Sequence, residues 1–173
     1  LLFDINSNNI ETVYNENYKL IKKWFQIYNK PDKSLAWHPY NASERVCNLI
    51  VFFTHYNKVK SKDDKLDDFV NKIIHTHSFY LLDNLEYPAS KIINNHILNN
   101  GRALFYISEF TENNQIKHFS KVLITKNLIK LLDNSFILKE SSVHYHFLIT
   151  MWISEIYLIS NFSEDQNFKN FIE

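Results

Sequence analysis

The chain has 173 residues, no formal net charge and a hydrophobic fraction of 45%, which is sufficient for one domain with a substantial core. Its single glycine excludes glycine-rich phosphate loops and disfavours sheet folds with many tight turns. Its single cysteine excludes internal disulfides and zinc sites of several cysteines, and the charge balance disfavours nucleic acid as a partner. No apolar run reaches the roughly 18 residues of a membrane span.

Apolar residues recur at three- and four-residue steps along the chain, which predicts helices joined by short connections. The segment Trp37-His38-Pro39-Tyr40 is predicted to be extended, because proline disfavours helix at the preceding residue. Asn41 is predicted to cap the helix that follows. The predicted helices cover about residues 14–28, 41–56, 65–83, 88–110, 116–132 and 141–161, and a seventh begins at the capping pair Ser163 and Gln166.

Three segments carry unusual polar residues, at residues 37–45, 94–100 and 140–146. In the second segment five of seven residues are polar, and Asn95 and Asn99 share one helix face at i,i+4. On the helix pattern alone, the simplest interpretation is a solvated face with a capped histidine. Tyr145 lies in the first turn of a later helix, and the simplest interpretation of this residue is an aromatic anchor with its hydroxyl in water.

Taken together, the three segments resemble the heparinase II/III-like and alginate-lyase-like polysaccharide lyases. Trp37 and Tyr40 match a tryptophan and a tyrosine that precede a helix with an arginine, here Arg45. Asn95-His96 matches an Asn-His pair that opens a long helix in that family.

The third segment matches a loop of the form Glu-x-Ser-x-x-Tyr-His, with Glu140, Ser142, Tyr145 and His146 in the corresponding order. The resemblance covers about residues 37–152, most of the chain. It implies an all-α domain of helical hairpins, part of an incomplete (α/α) toroid, over residues 1–173. Because the chain begins with Leu1 and its last predicted helix has no partner, we expect it to be a piece of a longer protein.

The resemblance further implies a C-terminal β-sandwich domain of the same protein as a partner, with the active site between the two domains. It implies an anionic, uronate-containing polysaccharide as substrate, no cofactor in this fragment, and a periplasmic or secreted bacterial protein. The reaction is β-elimination: a proton leaves C5 beside the uronate carboxylate, and the bond from C4 to the glycosidic oxygen breaks.

This chemistry needs a group that neutralises the carboxylate, for which Asn95 and His96 are the candidates. It also needs a base for the C5 proton and an acid for the leaving oxygen. The resemblance makes Tyr145 the acid, and also the base when His96 serves only to neutralise; the sequence leaves both assignments open. The expected substrate-binding residues are Trp37, Tyr40, Arg45, Asn99 and His146. The alternatives are a core position for Trp37 and, for Arg45, a capping role or a pairing with Glu44 or another neighbour.

Two other functions remain open at this stage. The first is a non-catalytic helical domain that binds a glycan or a protein. The second is a degenerate lyase from a surface-polysaccharide pathway that has kept the fold and only binds. A metal site is disfavoured, because the pairs His75-x-His77 and His144-x-His146 have i,i+2 spacing, which places side chains on different helix faces. Cys47 is predicted to be a buried, inert thiol.

Overall fold

The computed structural model describes residues 10–59, 64–87, 95–139, 142–160 and 166–173. Over these residues the chain is helical, with one isolated antiparallel bridge between Leu132 and Leu138, so the all-α prediction is confirmed. The elements are α1 (Ile10–Ile27), a short 3-10 helix (Leu35–Trp37), α2 (Pro39–Val59), α3 (Asp64–Asp83), α4 (His96–Thr111), α5 (Asn114–Leu131), α6 (Val143–Ser160) and α7 (Gln166–Ile172). The closure of these helices into a toroid stays a prediction.

Helix α4 is the centre of the fold, since it packs against α2, α3, α5 and α6. Every residue from Ile97 to Ser108 is buried, so most of this helix has no solvent-facing side. At Gly101 an added Cβ would lie 3.2 Å from Cγ1 of Ile124 on α5. The missing side chain therefore allows α4 and α5 to approach closely.

Two hydrophobic clusters use different faces of α4. The first packs α1, α2, α3 and the 3-10 helix around residues such as Trp37 and Phe53. The second packs α5, α6 and α7 around Trp152 and Ile124. Within the described residues, no helix is long and apolar enough to cross a membrane, as the sequence predicted.

The start of α2 differs from the prediction. Residues 35–37 form the 3-10 helix, His38 alone is extended, and α2 begins at Pro39. The fixed φ of proline and its missing N–H suit the first helical position. Asn41 therefore lies inside the helix instead of capping it, and its Nδ2 donates a hydrogen bond to the carbonyl of Leu35 at 2.8 Å.

Helix α4 begins at His96, immediately after Asn95, whereas the sequence predicted a start near Pro88. Pro88 and the rest of residues 88–94 lie outside the described residues, as do Glu140, Ser141 and Ser163. At the start of α6, the Oγ atom of Ser142 accepts a hydrogen bond from the backbone N–H of Tyr145 at 3.4 Å. This contact is the N-cap that the sequence predicted for Ser141 or Ser142.

Candidate functional site

Two of the predicted site residues, Tyr40 and His96, come together from the first turns of two helices. Tyr40 on α2 and His96 on α4 have ring centroids 5.0 Å apart. Burial, and then the negative charge of Glu44, raises the pKa of Tyr40, and Tyr145 on α6 acts on it in the same direction. Tyr40 therefore contacts His96, whereas Tyr145 is related to it by this electrostatic effect and not by a described contact. Tyr145 is exposed, so its hydroxyl is accessible from solvent.

A carboxylate and a second histidine complete this group. Oε1 of Glu86 lies 2.9 Å from Nδ1 of His96 and 3.7 Å from Nε2 of His38. The two imidazole rings have centroids 6.3 Å apart. The histidine side chains are 44% and 42% exposed, whereas that of Glu86 is 16% exposed. We call these five residues the tyrosine–histidine cluster: His38, Tyr40, Glu86, His96 and Tyr145.

Sequence reasoning missed Glu86 and did not select His38. His38 lies inside a segment that the sequence singled out, so its position was a usable signal. Glu86 lies in the non-helical stretch after α3, ten residues before His96. No helical spacing relates these two residues, and the contact becomes visible only when the chain is folded.

The buried side chain of Asn100 holds Glu86 in place. Its Nδ2 donates hydrogen bonds to Oγ of Ser43 at 3.0 Å and to Oε2 of Glu86 at 3.3 Å. Its Oδ1 accepts the backbone N–H of Glu86 at 2.9 Å. Asn99 and Asn100 are both completely buried. The interpretation of this helix as a solvated polar face is therefore wrong, because its asparagines form internal hydrogen bonds.

Asn95 is almost buried at the position before α4. Its carbonyl accepts the N–H of Asn99 at 3.0 Å, and its side chain makes no capping hydrogen bond to the helix. Asn95 lies next to His96 because the two residues are consecutive in the chain. The described contacts do not join its amide to the tyrosine–histidine cluster.

Asn99, a predicted substrate-binding residue, belongs to an internal ionic network around Arg102. Nη1 of Arg102 donates to Oε1 of Glu44 at 2.8 Å and to Oδ1 of Asn99 at 2.7 Å. Nε of Arg102 donates to Oε2 of Glu155 at 2.8 Å. The network joins α2, α4 and α6 directly below Tyr40, and Trp152 contacts both Arg102 and Tyr40.

Two buried N–H groups at this junction have no hydrogen-bond partner among the described residues, Nδ2 of Asn99 and Nε1 of Trp152. Unpaired buried donors are costly. An acceptor atom from a water molecule or a ligand would therefore be stabilised here. Asn99 itself is completely buried, so its amide is not on the open surface where a polymer would first bind.

Trp37 and Arg45, both predicted to bind substrate, have their contacts inside the protein. Trp37 is completely buried and its Nε1 donates to the carbonyl of Tyr28 at 3.1 Å. No face of its ring is open to a sugar, and the core interpretation applies. Arg45 donates from Nε to Nε2 of His77 at 3.0 Å and from Nη1 to the carbonyl of Ala36 at 2.6 Å. It pairs with these groups instead of with Glu44.

His146 faces a different part of the molecule from Tyr145. It lines a cavity of ≈ 540 Å³ between α5, α6 and α7, together with Leu128, Ile149 and Phe171. Successive residues on a helix point about 100° apart, which separates His146 from its neighbour. The structure thus does not bring His146 to the tyrosine–histidine cluster.

An open groove of ≈ 800 Å³ adjoins the cluster at His38. It lies between the 3-10 helix and the C-terminal half of α3, and its lining includes Leu35, Phe79, Tyr80 and Asp83. Phe79 and Leu35 are largely exposed. A groove of this size with aromatic walls is suited to an extended ligand that ends at the cluster.

Among the described residues, the histidine pairs and the cysteine that the sequence analysis considered do not form a second reactive site. In the part of the chain that the structure describes, no group of three or more His, Cys, Asp or Glu residues is arranged to hold a metal ion. Burial, and then the charge of Arg45, lowers the pKa of His77 to about 3. Burial raises the pKa of the Cys47 thiol to about 12, which agrees with the prediction of an inert thiol.

Comparisons with models of protein families, with curated proteins and with solved structures each found no match to this chain. The motif resemblance to polysaccharide lyases therefore stays a prediction.

Proposed function

We propose that this chain provides catalytic residues of a polysaccharide lyase that cleaves a uronic-acid-containing polysaccharide by β-elimination. One observation carries the proposal: Tyr40 and His96, singled out from two separate segments, have ring centroids 5.0 Å apart at the first turns of two helices, and Tyr145, at the first turn of a third, acts electrostatically on Tyr40. The open groove beside His38 supports it, because a polymer needs an extended surface that leads to the reacting bond. The expected C-terminal β-sandwich domain and a periplasmic or secreted location belong to the same proposal.

In the reaction, Asn95 and His96 neutralise the uronate carboxylate, so that the charge that develops as C5 loses its proton is stabilised. The C5–H bond and the bond from C4 to the glycosidic oxygen break, and a C4–C5 double bond forms. Tyr145 is the catalytic acid and base: it takes the C5 proton and returns a proton to the leaving oxygen. Its exposure allows its hydroxyl to reach both atoms.

Tyr40 has a different role from Tyr145. Burial is the main cause that raises the pKa of Tyr40, and Glu44 adds to it. The phenol therefore stays protonated at neutral pH. It donates a hydrogen bond to the sugar or to its carboxylate and does not act as a base.

The proposal is tested with the full-length protein that carries this chain, incubated with a panel of uronate polysaccharides. The ultraviolet absorbance of the unsaturated uronate product reports β-elimination. We expect product from at least one polymer, and its loss in Tyr145→Phe and His96→Gln. Tyr157→Phe, on the far part of α6, and His118→Gln, on the exposed side of α5, are the matched controls that keep activity. Product formed by Tyr145→Phe at the wild-type rate would contradict the assignment.

A non-catalytic glycan-binding domain is the second candidate, and the groove favours it. The exposed ring of Phe79 beside Tyr80 can stack on sugar rings without any chemistry at the cluster. Calorimetric binding of the same polymers separates the two functions. Binding that weakens in Phe79→Ala, with no unsaturated product from any polymer, would favour the binding domain over the lyase.

A further inference from the structure

We infer that Glu86 is a positioning residue that fixes the tautomer and the orientation of His96, so that Nε2 of His96 faces the substrate. The catalytic consequence rests on the proposed lyase function, whereas the tautomer is a property of the folded chain alone. Glu86 is not part of the motifs that suggested the site, and its role follows from its contacts.

The contact between Glu86 and His96 determines which ring nitrogen carries the proton. Oε1 of Glu86 lies 2.9 Å from Nδ1 of His96. An ionised carboxylate only accepts hydrogen bonds, so Nδ1 must be the donor. Nε2 is then left for the substrate, as a lone pair in the neutral ring and as an N–H donor in the protonated ring.

Glu86 can perform this role because it is itself held at two points. Asn100 bonds both the backbone N–H and Oε2 of Glu86, and Ser43 fixes the amide of Asn100 in turn. Rotation of the carboxylate away from His96 would break the bond to the buried Asn100. This chain of contacts explains why a polar residue lies inside α4, the most buried helix of the fold.

His38 is the competing partner for the same oxygen. At 3.7 Å from Oε1, its Nε2 lies at ion-pair distance but beyond a hydrogen bond. The described groups around His96 are therefore Glu86 from the segment after α3, and His38 and Tyr40 from the start of α2. Among these, only Glu86 makes a hydrogen bond to Nδ1, so Glu86 sets the tautomer.

The first readout is independent of activity. The protein is labelled with ¹⁵N in its histidine rings, and NMR spectra are recorded at a pH where His96 is neutral. We expect Nδ1 of His96 to carry the proton in the wild type. In Glu86→Ala the proton should move largely to Nε2, the tautomer that a free imidazole prefers in water. Glu16→Ala, which removes an exposed carboxylate paired with Lys19, should leave the His96 signals unchanged.

The second readout is catalytic and uses Glu86→Gln, which keeps the shape of the side chain. We expect kcat to fall by about 10- to 100-fold, the range found for residues that orient a metal-bound histidine, with KM nearly unchanged. His96 protonated on Nε2 in the wild type, or an unchanged tautomer in Glu86→Ala, would overturn the role of Glu86. A protein that acts on no uronate polymer would overturn the lyase function, while the NMR result would still decide the tautomer.

Discussion

Arg45 and Arg102 lie on two helices that pack together, α2 and α4, but the protein stabilises their positive charges in different ways. Arg102 is almost completely buried and bonds two carboxylates, Glu44 and Glu155. Arg45 is partly buried, and its described partners are a backbone carbonyl, the ring of His77 and the faces of Trp24 and Trp37. One region is held by ion pairs, and the other by aromatic packing around a cation.

Because of this difference, we expect the two regions to respond differently to pH and to substitution. Burial lowers the pKa of Arg45 to about 10, and the charge of Arg45 helps to keep His77 neutral. Nδ1 of His77 donates to the carbonyl of Ile73 at 2.7 Å, and its Nε2 accepts from Arg45. The Arg45 region should therefore be sensitive to acid. The Arg102 region, where removal of the cation leaves two carboxylates unpaired, should be sensitive to substitution.

The largest expected effect is that of Arg102→Met. Loss of the guanidinium leaves Glu44 and Glu155 without their cation between three helices, and we expect the free energy of unfolding to fall by about 3 kcal/mol. Urea denaturation followed by circular dichroism measures it. The surface control Lys126→Met should change stability by less than about 0.5 kcal/mol. An Arg102→Met protein as stable as wild type would show that the ionic network contributes nothing to the fold.

The next effect is the pH dependence of the Arg45 region. Unfolded His77 binds a proton below a pKa of about 6.5, whereas the folded pKa is about 3. The unfolded state thus binds more protons as the pH falls, and stability is lost from neutral pH downwards. At pH about 5 the protonation of His77 in the unfolded state lowers the free energy of unfolding by about 2 kcal/mol. The loss between neutral and acid pH should be smaller by that amount in His77→Gln. Equal losses in the two proteins would mean that His77 is not held neutral.

A smaller effect is expected for Arg45→Met. The substitution removes two hydrogen bonds, but it also removes a cation that is held away from water without a carboxylate among the described residues. We expect a net loss of about 1 kcal/mol. The acid sensitivity should also decrease, because the charge that lowers the pKa of His77 is gone. A loss as large as that of Arg102→Met would reveal an ionic partner for Arg45.

The smallest effect is the reactivity of Cys47, which lies on α2 close to both regions. Burial raises its pKa to about 12, so the folded protein at pH about 8 should react with thiol reagents far more slowly than a free cysteine. Labelling should become rapid only in denaturant. Because Arg102 ties α2 to α6, Arg102→Met should accelerate labelling more than Arg45→Met does. The opposite order would show that the aromatic packing around Arg45 holds α2 more firmly than the ionic network does.

The motifs that suggested a resemblance to known lyases named residues that the structure places in different environments. The rings of Tyr40 and His96 are 5.0 Å apart, and Asn95 directly precedes His96. Trp37 lies instead in the core, and His146 faces a cavity on another side of α6. A motif gives the order of residues along the chain. Burial and facing depend on which other helices pack against each one.

The sequence by itself determined the helical class and most helix positions, because helical periodicity is a local property with contacts at i+3 and i+4. The tertiary structure alone decided which polar residues are partners. Glu86 reaches His96 across a non-helical segment. The contacts of Arg102 with Glu44 and Glu155 join residues 58 and 53 positions apart. Such pairs form only when the hydrophobic faces of α2, α4 and α6 pack together, and that packing decides which polar groups meet inside the protein.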